Sequence, residues 1–285
     1  MKPRVLVTGG GGIVGSTWQH AAPTADMELR VAGRSTLDIT DERQVREAVD
    51  AFKPHFIVNA AAFTRVDDAE TQREQAYRVN VTGAEILARQ AERTGAVLIH
   101  YSTDYVFDGK RRQPYREDDP ANPLNYYGLT KWLGEEKIRE TIQKHYIIRT
   151  AWVYGGFGHN FIRLVLNLAA RHKTLRFVND QTGSPTAADD LTDFTSFLIR
   201  NADAPFGTYH CSHLGEITRY DQARFIVRTM GLDTEILPVP ASYFNPPALR
   251  PPYSVLSKEK IIHLLNRRPK NWESGLYDTL KKYYL

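Results

Sequence analysis

The chain has 285 residues, 42% hydrophobic and 25% charged, with a formal net charge of +4. This is ordinary globular usage, enough for one large domain or a larger plus a smaller one. The apolar runs, such as Ile147-Ile148 and Ile261-Ile262, are far too short to span a membrane.

A single cysteine, Cys211, excludes an internal disulfide. A strand-like run begins at Arg4 and leaves no room for a signal peptide, so a reducing cytoplasm is the expected compartment. The densest basic cluster, Lys110-Arg111-Arg112, is followed closely by Glu117, Asp118 and Asp119. It reads as a solvated loop, and no nucleic-acid partner is expected.

In chain order, Val5-Leu6-Val7 reads as a short buried strand, and TGGGGIVG follows at 8–15, opening a helix. The spacing Gly9-x-x-Gly12-x-x-Gly15, with Ile13 and Val14 in the last gap, sits between strand and helix. Glycine there permits the tight turn, lets a pyrophosphate approach the backbone and lets the helix lie close to the sheet. Helix N–H groups then face the anion.

The second strand, 29–32, ends at Gly33-Arg34-Ser35. A carboxylate that would hold an adenine ribose is missing there. Arg34 offers a guanidinium suited to a 2′-phosphate. NADP(H) is therefore the preferred cofactor; Asp38, close enough to meet the adenine or ribose, keeps NAD(H) open.

A helix is expected over 41–52, with Asp41 as its cap and Val45, Ala48, Val49 and Phe52 on one face. A third strand (56–58), a helix over 75–93, a fourth strand (96–100), a helix over 125–144 and a fifth strand (145–148) follow. This alternation predicts an α/β fold, a Rossmann-type doubly wound parallel sheet covered on both faces. Ligands then sit beyond the carboxyl ends of the strands. The expected division is a dinucleotide-binding domain at 1–155, with the chain returning to it later, and a smaller α/β C-terminal substrate lobe at 156–285. That lobe contains helices over 160–172 and 188–201, and the proline-rich PVPASYFNPPALRPPY, which cannot be regular throughout.

NYYGLTK, residues 125–131, holds two tyrosines and a lysine. At about 100° per residue, Tyr127 and Lys131 share a helix face and Tyr126 points away. An ammonium beside a phenol lowers its pKa, which would make Tyr127 a proton donor. Thr103, at the end of the fourth strand, offers a hydroxyl at the same edge. With a nicotinamide supplying hydride, the set points to ketone reduction or alcohol oxidation.

These motifs resemble the extended short-chain dehydrogenase/reductases. The finer match is to the dTDP-4-dehydrorhamnose reductases, through NAAAFTRVDDAE (59–70), STDYVFDG (102–109), NYYGLTKWLGEEK (125–137), RTAWVYG (149–155), NDQTGSPT (179–186) and RPPYSVL (250–256). The resemblance implies reduction of the 4-keto group of a dTDP-6-deoxy-hexulose by NADPH, sometimes NADH, giving dTDP-L-rhamnose. It implies that Tyr127 protonates the oxygen, Lys131 lowers the Tyr127 pKa and binds the nicotinamide ribose, and Thr103 hydrogen-bonds the carbonyl. It places Asp104 and Tyr105 along the sugar pocket, Trp152 against the sugar ring and Val66 and Asp67 near the substrate. Ala60, Ala61 and Asn80 would border the cofactor.

Arg250 is left between a substrate diphosphate and simple packing, and 180–186 is expected to border the site. His210-Cys211-Ser212-His213 lacks a second ligand cluster and reads as structural, so no metal is expected. Two other readings stay open: a 4-ketoreductase giving the talose epimer, and a non-catalytic NADP-binding subunit like that of methionine adenosyltransferase. A homodimer is also left open.

Overall fold

The structure, a computed structural model, describes every residue except Met1, Ala21, Pro23 and Ala202. The first half runs β1 (Arg4–Thr8), α1 (Ile13–His20), β2 (Glu28–Ala32), α2 (Glu42–Phe52), β3 (Phe56–Asn59), α3 (Arg73–Tyr77), α4 (Gly83–Thr94), β4 (Val97–Thr103), α5 (Tyr126–Thr141) and β5 (His145–Thr150). The second half holds β6 (Val153–Tyr154), α6 (Phe161–Ala169), β7 (Thr174–Val178), β8 (Thr182–Gly183), β9 (Thr186–Ala187), α7 (Ala188–Arg200), β10 (Gly207–His210), β11 (Ile217–Thr218), α8 (Arg219–Thr229), β12 (Glu235–Val239), α9 (Glu259–Leu265) and α10 (Trp272–Tyr283).

Six strands form one parallel sheet in the order β10-β5-β4-β3-β1-β2. Strand alternation divides its side chains. Val5, Val7, Val58, Ile99 and Ile148 enter one core with Trp18 and the α7 residues Leu191, Phe194 and Leu198. Leu6, Ile57, Leu98 and Ile147 enter the other with Val45, Val49 and Leu87. Helices thus cover both faces, as a parallel sheet requires. The strand order reverses between β1 and β3, and a crevice opens there beyond the strand ends. A third core, around Val165, Phe177, Ile226 and Leu276, holds the later helices together with β7 and β12.

Asp41 caps α2 by accepting from the Gln44 N–H, as its position implies. The single helix expected over 75–93 is instead broken. Between α3 and α4 lies a π-helical segment, Arg78–Thr82. The wider turn points Asn80 inward, where its amide bonds the Phe63 N–H (2.8 Å), the Phe63 carbonyl (3.1 Å) and Thr130 Oγ1 (2.9 Å). Gly134 of α5 lies against this bulge, and a Cβ there would stand 2.3 Å from the Asn80 carbonyl oxygen. Hydrophobic periodicity is blind to one extra residue per turn.

Candidate active site

The glycine loop and the end of β3 interlock at the crevice. Gly9 has φ +74°, and a Cβ on it would lie 2.5 Å from the backbone of Ala60 and Ala61. A Cβ on Gly15 would stand 2.1 Å from the Gly9 carbonyl oxygen. Only glycine fits either place. A Cβ at Gly11, by contrast, would meet nothing within 4 Å. There the loop opens, with Gly12, Ile13 and Val14, onto a cavity of about 530 Å³ that Ala60 and Ala61 border from the other side. A bare backbone turn running into the N-terminus of α1 fits a dinucleotide diphosphate.

Thr103, Asp104, Tyr127 and Lys131 line the same cavity; Tyr126 does not, and its ring lies under Arg73 at 4.9 Å. The start of α5 explains how Tyr127 arrives there. Asn125 caps the helix through the Gly128 N–H (2.8 Å) and donates to the Leu249 carbonyl (2.7 Å). Gly128 lets the helix press on the turn after β4, since a Cβ would stand 2.2 Å from the Tyr105 carbonyl oxygen. The Tyr105 and Tyr127 rings meet edge-on at 6.1 Å.

Lys131 is expected to lower the Tyr127 pKa, but in the folded chain burial is the larger influence on the phenol. Burial raises the phenol well above its ordinary value; the Thr103 hydroxyl works against this, and Asp104 and Tyr105 add to it. Desolvation of the phenolate outweighs the charges around it. Lys131 Nζ, 2% exposed at the residue level, donates to the Tyr101 carbonyl (2.7 Å) and lies 3.0 Å from His100 Nε2. Its own pKa falls to about 8, chiefly through burial, with Glu135 opposing.

Thr103 Oγ1 donates to Asp104 Oδ1 (3.1 Å) and accepts from the Tyr105 N–H (3.1 Å). Ser254 donates to Asp104 Oδ2 at 2.6 Å, yet burial still pushes the Asp104 carboxyl up to about 6.

At the cavity's far side stand Val66, Tyr105, Trp152 and Arg219. Trp152 has φ +50°, a left-handed conformation, and Gly183 packs so closely that a Cβ there would lie 2.8 Å from the indole. No residue of 180–186 lines the cavity; the segment packs behind Trp152, which does. The Arg219 guanidinium lies over the Trp152 ring at 4.0 Å and near the Phe161 ring at 4.7 Å. Among the described residues no carboxylate stands within ion-pair distance of Arg219. Burial lowers its pKa to about 10. No motif marks Arg219: it is one arginine at a helix start, distant in sequence from every other site residue.

Arg250 is bound instead to Asp67, through two contacts of 2.7 Å, and does not line the cavity. Asn80 lies behind the loop, holding Phe63 and Thr130 rather than facing the cavity. Arg34, largely exposed, stands 3.7 Å from Asp38. With Thr40, Arg73 and Arg78 it lines a second, polar cavity of about 400 Å³ beyond β2. Arg73 and Arg78 escape notice in the sequence because they lie about 40 residues further on.

His210 and His213 go separate ways. His210 is buried edge-on to Phe107, while His213 pairs with Asp190 at 2.9 Å.

The family described as RmlD substrate binding domain matches residues 2–285. The spore coat polysaccharide biosynthesis protein SpsK of Bacillus subtilis is 42% identical, over 98% of this chain and 97% of its own length. A dTDP-4-dehydrorhamnose reductase of Salmonella typhimurium is 40% identical, over 87% of this chain and 86% of its own. The crystal structure of a dTDP-4-dehydrorhamnose reductase from Bacillus anthracis in complex with NADP superposes with a TM-score of 0.95, at 35% identity, covering 99% of this chain and 100% of that one.

Proposed function

Since the chain belongs to the RmlD substrate binding domain family, we propose that it reduces the 4-keto group of dTDP-6-deoxy-L-lyxo-4-hexulose with NADPH, giving dTDP-L-rhamnose. One observation carries this reading: Thr103, Tyr127 and Lys131 line the same cavity as the glycine cradle at Gly11 and Gly12. A reduced nicotinamide bound there supplies hydride to the carbonyl carbon.

The residues do the rest. Burial keeps the Tyr127 phenol protonated until the developing alkoxide takes its proton. Thr103 turns its hydroxyl hydrogen from Asp104 to the same oxygen. Lys131 holds a ribose hydroxyl and, when charged, stabilises the phenolate. Arg219, a cation lining the same cavity, receives the nucleotide diphosphate in this reading. Arg34, Arg73 and Arg78 receive the 2′-phosphate that separates NADPH from NADH.

The test incubates the protein with dTDP-4-keto-6-deoxyglucose, a 3,5-epimerase and NADPH. Consumption of NADPH with a rhamnose product is the expected result. A talose product would move the chain to the other C4 epimer. No turnover by folded protein that still binds NADPH would overturn catalysis in favour of a binding subunit.

A further inference from the structure

His100 takes no part in the steps above, yet its ring touches the centre of the site. It is buried in β4, with Nδ1 3.0 Å from Asn59 Nδ2 and Nε2 3.0 Å from Lys131 Nζ. The orientation of the Asn59 amide is determined by its neighbours. Its Oδ1 accepts from Thr8 Oγ1 (2.7 Å) and from the Ala61 backbone N–H (3.1 Å). A backbone N–H is always a donor, so the atom facing it is the oxygen, and the atom facing His100 is the NH₂ donor. His100 Nδ1 must therefore accept, and the ring's one proton sits on Nε2. That proton points at Lys131. An ammonium has no lone pair to receive it. A neutral amine has one, and still has hydrogens to give to the Tyr101 carbonyl, 2.7 Å away.

We propose that His100 is a positioning residue that governs the proton on Lys131: the Thr8–Asn59–His100 chain aims an N–H at the Lys131 nitrogen and so lowers its proton affinity. This rests on the reading of Lys131 as the partner of Tyr127 and deepens it. The other groups around the pair do not reverse it. Glu135, one turn along α5, favours the ammonium, but its carboxylate is shared with Arg149 (2.8 Å) and Arg139 (2.7 Å). Tyr127, one turn earlier on the same helix, is a neutral phenol. Burial, Lys131, Arg139 and His145 all oppose a charged His100 ring. Loss of the Lys131 proton then begins close to neutral pH, and it limits activity from the alkaline side.

Nuclear magnetic resonance on the full chain, with nitrogen-15 histidine and ε-carbon-13 lysine, tests the proposal without substrate. The Lys131 signal is assigned by its loss in Lys131→Met. The expected result is a neutral His100 ring protonated on Nε2. In His100→Gln, whose carbonyl oxygen can turn to accept from Lys131, the proton affinity of Lys131 should rise roughly tenfold, one pKa unit. The alkaline limb of kcat should move up with it. A proton on Nδ1, or a Lys131 titration unmoved in His100→Gln, would overturn the proposal. Should that variant not fold, the tautomer in the unaltered protein decides. Protein that shows both signatures but does not turn over the keto-sugar would sink the proposed activity and leave this inference standing.

Discussion

Arg149 of β5 and Glu135 of α5 meet at 2.8 Å with side chains 1% and 0% exposed. Ser102 Oγ donates to the same carboxylate at 2.5 Å, so β4, β5 and α5 are joined directly behind the site. Glu135→Gln leaves the Arg149 cation buried without its counter-charge. The expected loss is about 3–5 kcal/mol of stability, read from urea unfolding. The double change Glu135→Leu, Arg149→Met should cost less than either single change; equal or greater cost would show that packing, not charge, governs the pair.

The two phenols of NYYGLTK should separate cleanly. Tyr127→Phe removes the phenol hydroxyl proposed as proton donor and should lower kcat by roughly 10²–10⁴-fold while NADPH affinity is kept. Tyr126→Phe touches a ring that lies under Arg73, outside the cavity, and should leave kcat nearly unchanged. Steady-state rates beside NADPH fluorescence titrations distinguish them, and reversed outcomes would end the assignment of Tyr127.

Asp104 gives stability a pH dependence of known sign. Burial raises its folded pKa from 3.8 to about 6. Its contribution is therefore full below about pH 4 and is lost as pH rises through 6. Asp104→Asn escapes that loss. Relative to the unaltered protein, the variant should gain roughly 2 kcal/mol between pH 4.5 and 8. A difference that stays flat over that range in denaturant unfolding would mean the carboxyl is not desolvated.

Arg34 decides cofactor preference if it meets a 2′-phosphate. Its side chain is 74% exposed and only 3.7 Å from Asp38, so little else depends on it. Arg34→Ala should weaken NADPH binding by roughly ten- to a hundredfold, the worth of a charged hydrogen bond, and leave NADH binding nearly unchanged. Calorimetry with both nucleotides reads this directly; equal losses would remove Arg34 from the phosphate site.

What proved legible in the sequence was local. The continuous apolar run Val5-Leu6-Val7 marked a buried strand, whose side chains the fold divides between two cores. A four-residue interval put Tyr127 and Lys131 on one side of α5, and glycine spacing marked the cradle. Each follows from a repeat of the backbone itself, two residues per strand period and 3.6 per helix turn. The elements named from the sequence lie within a few residues of those observed, except where the π-helical turn at 78–82 interrupts the helix; β7, β10, β12 and α8 to α10 were not among them.

Tertiary structure alone decided the partners. Asp67 takes up Arg250 across 183 residues, and Ser254 reaches Asp104 across 150. Arg219 comes to lie over Trp152, and His100 turns a ring nitrogen to Lys131. Nothing in local spacing encodes such meetings, because they depend on how helices settle on the sheet. The charge states follow from them. Composition told which groups titrate, and burial, which exists only in the folded chain, moved Tyr127 and Asp104 upward and Lys131 downward.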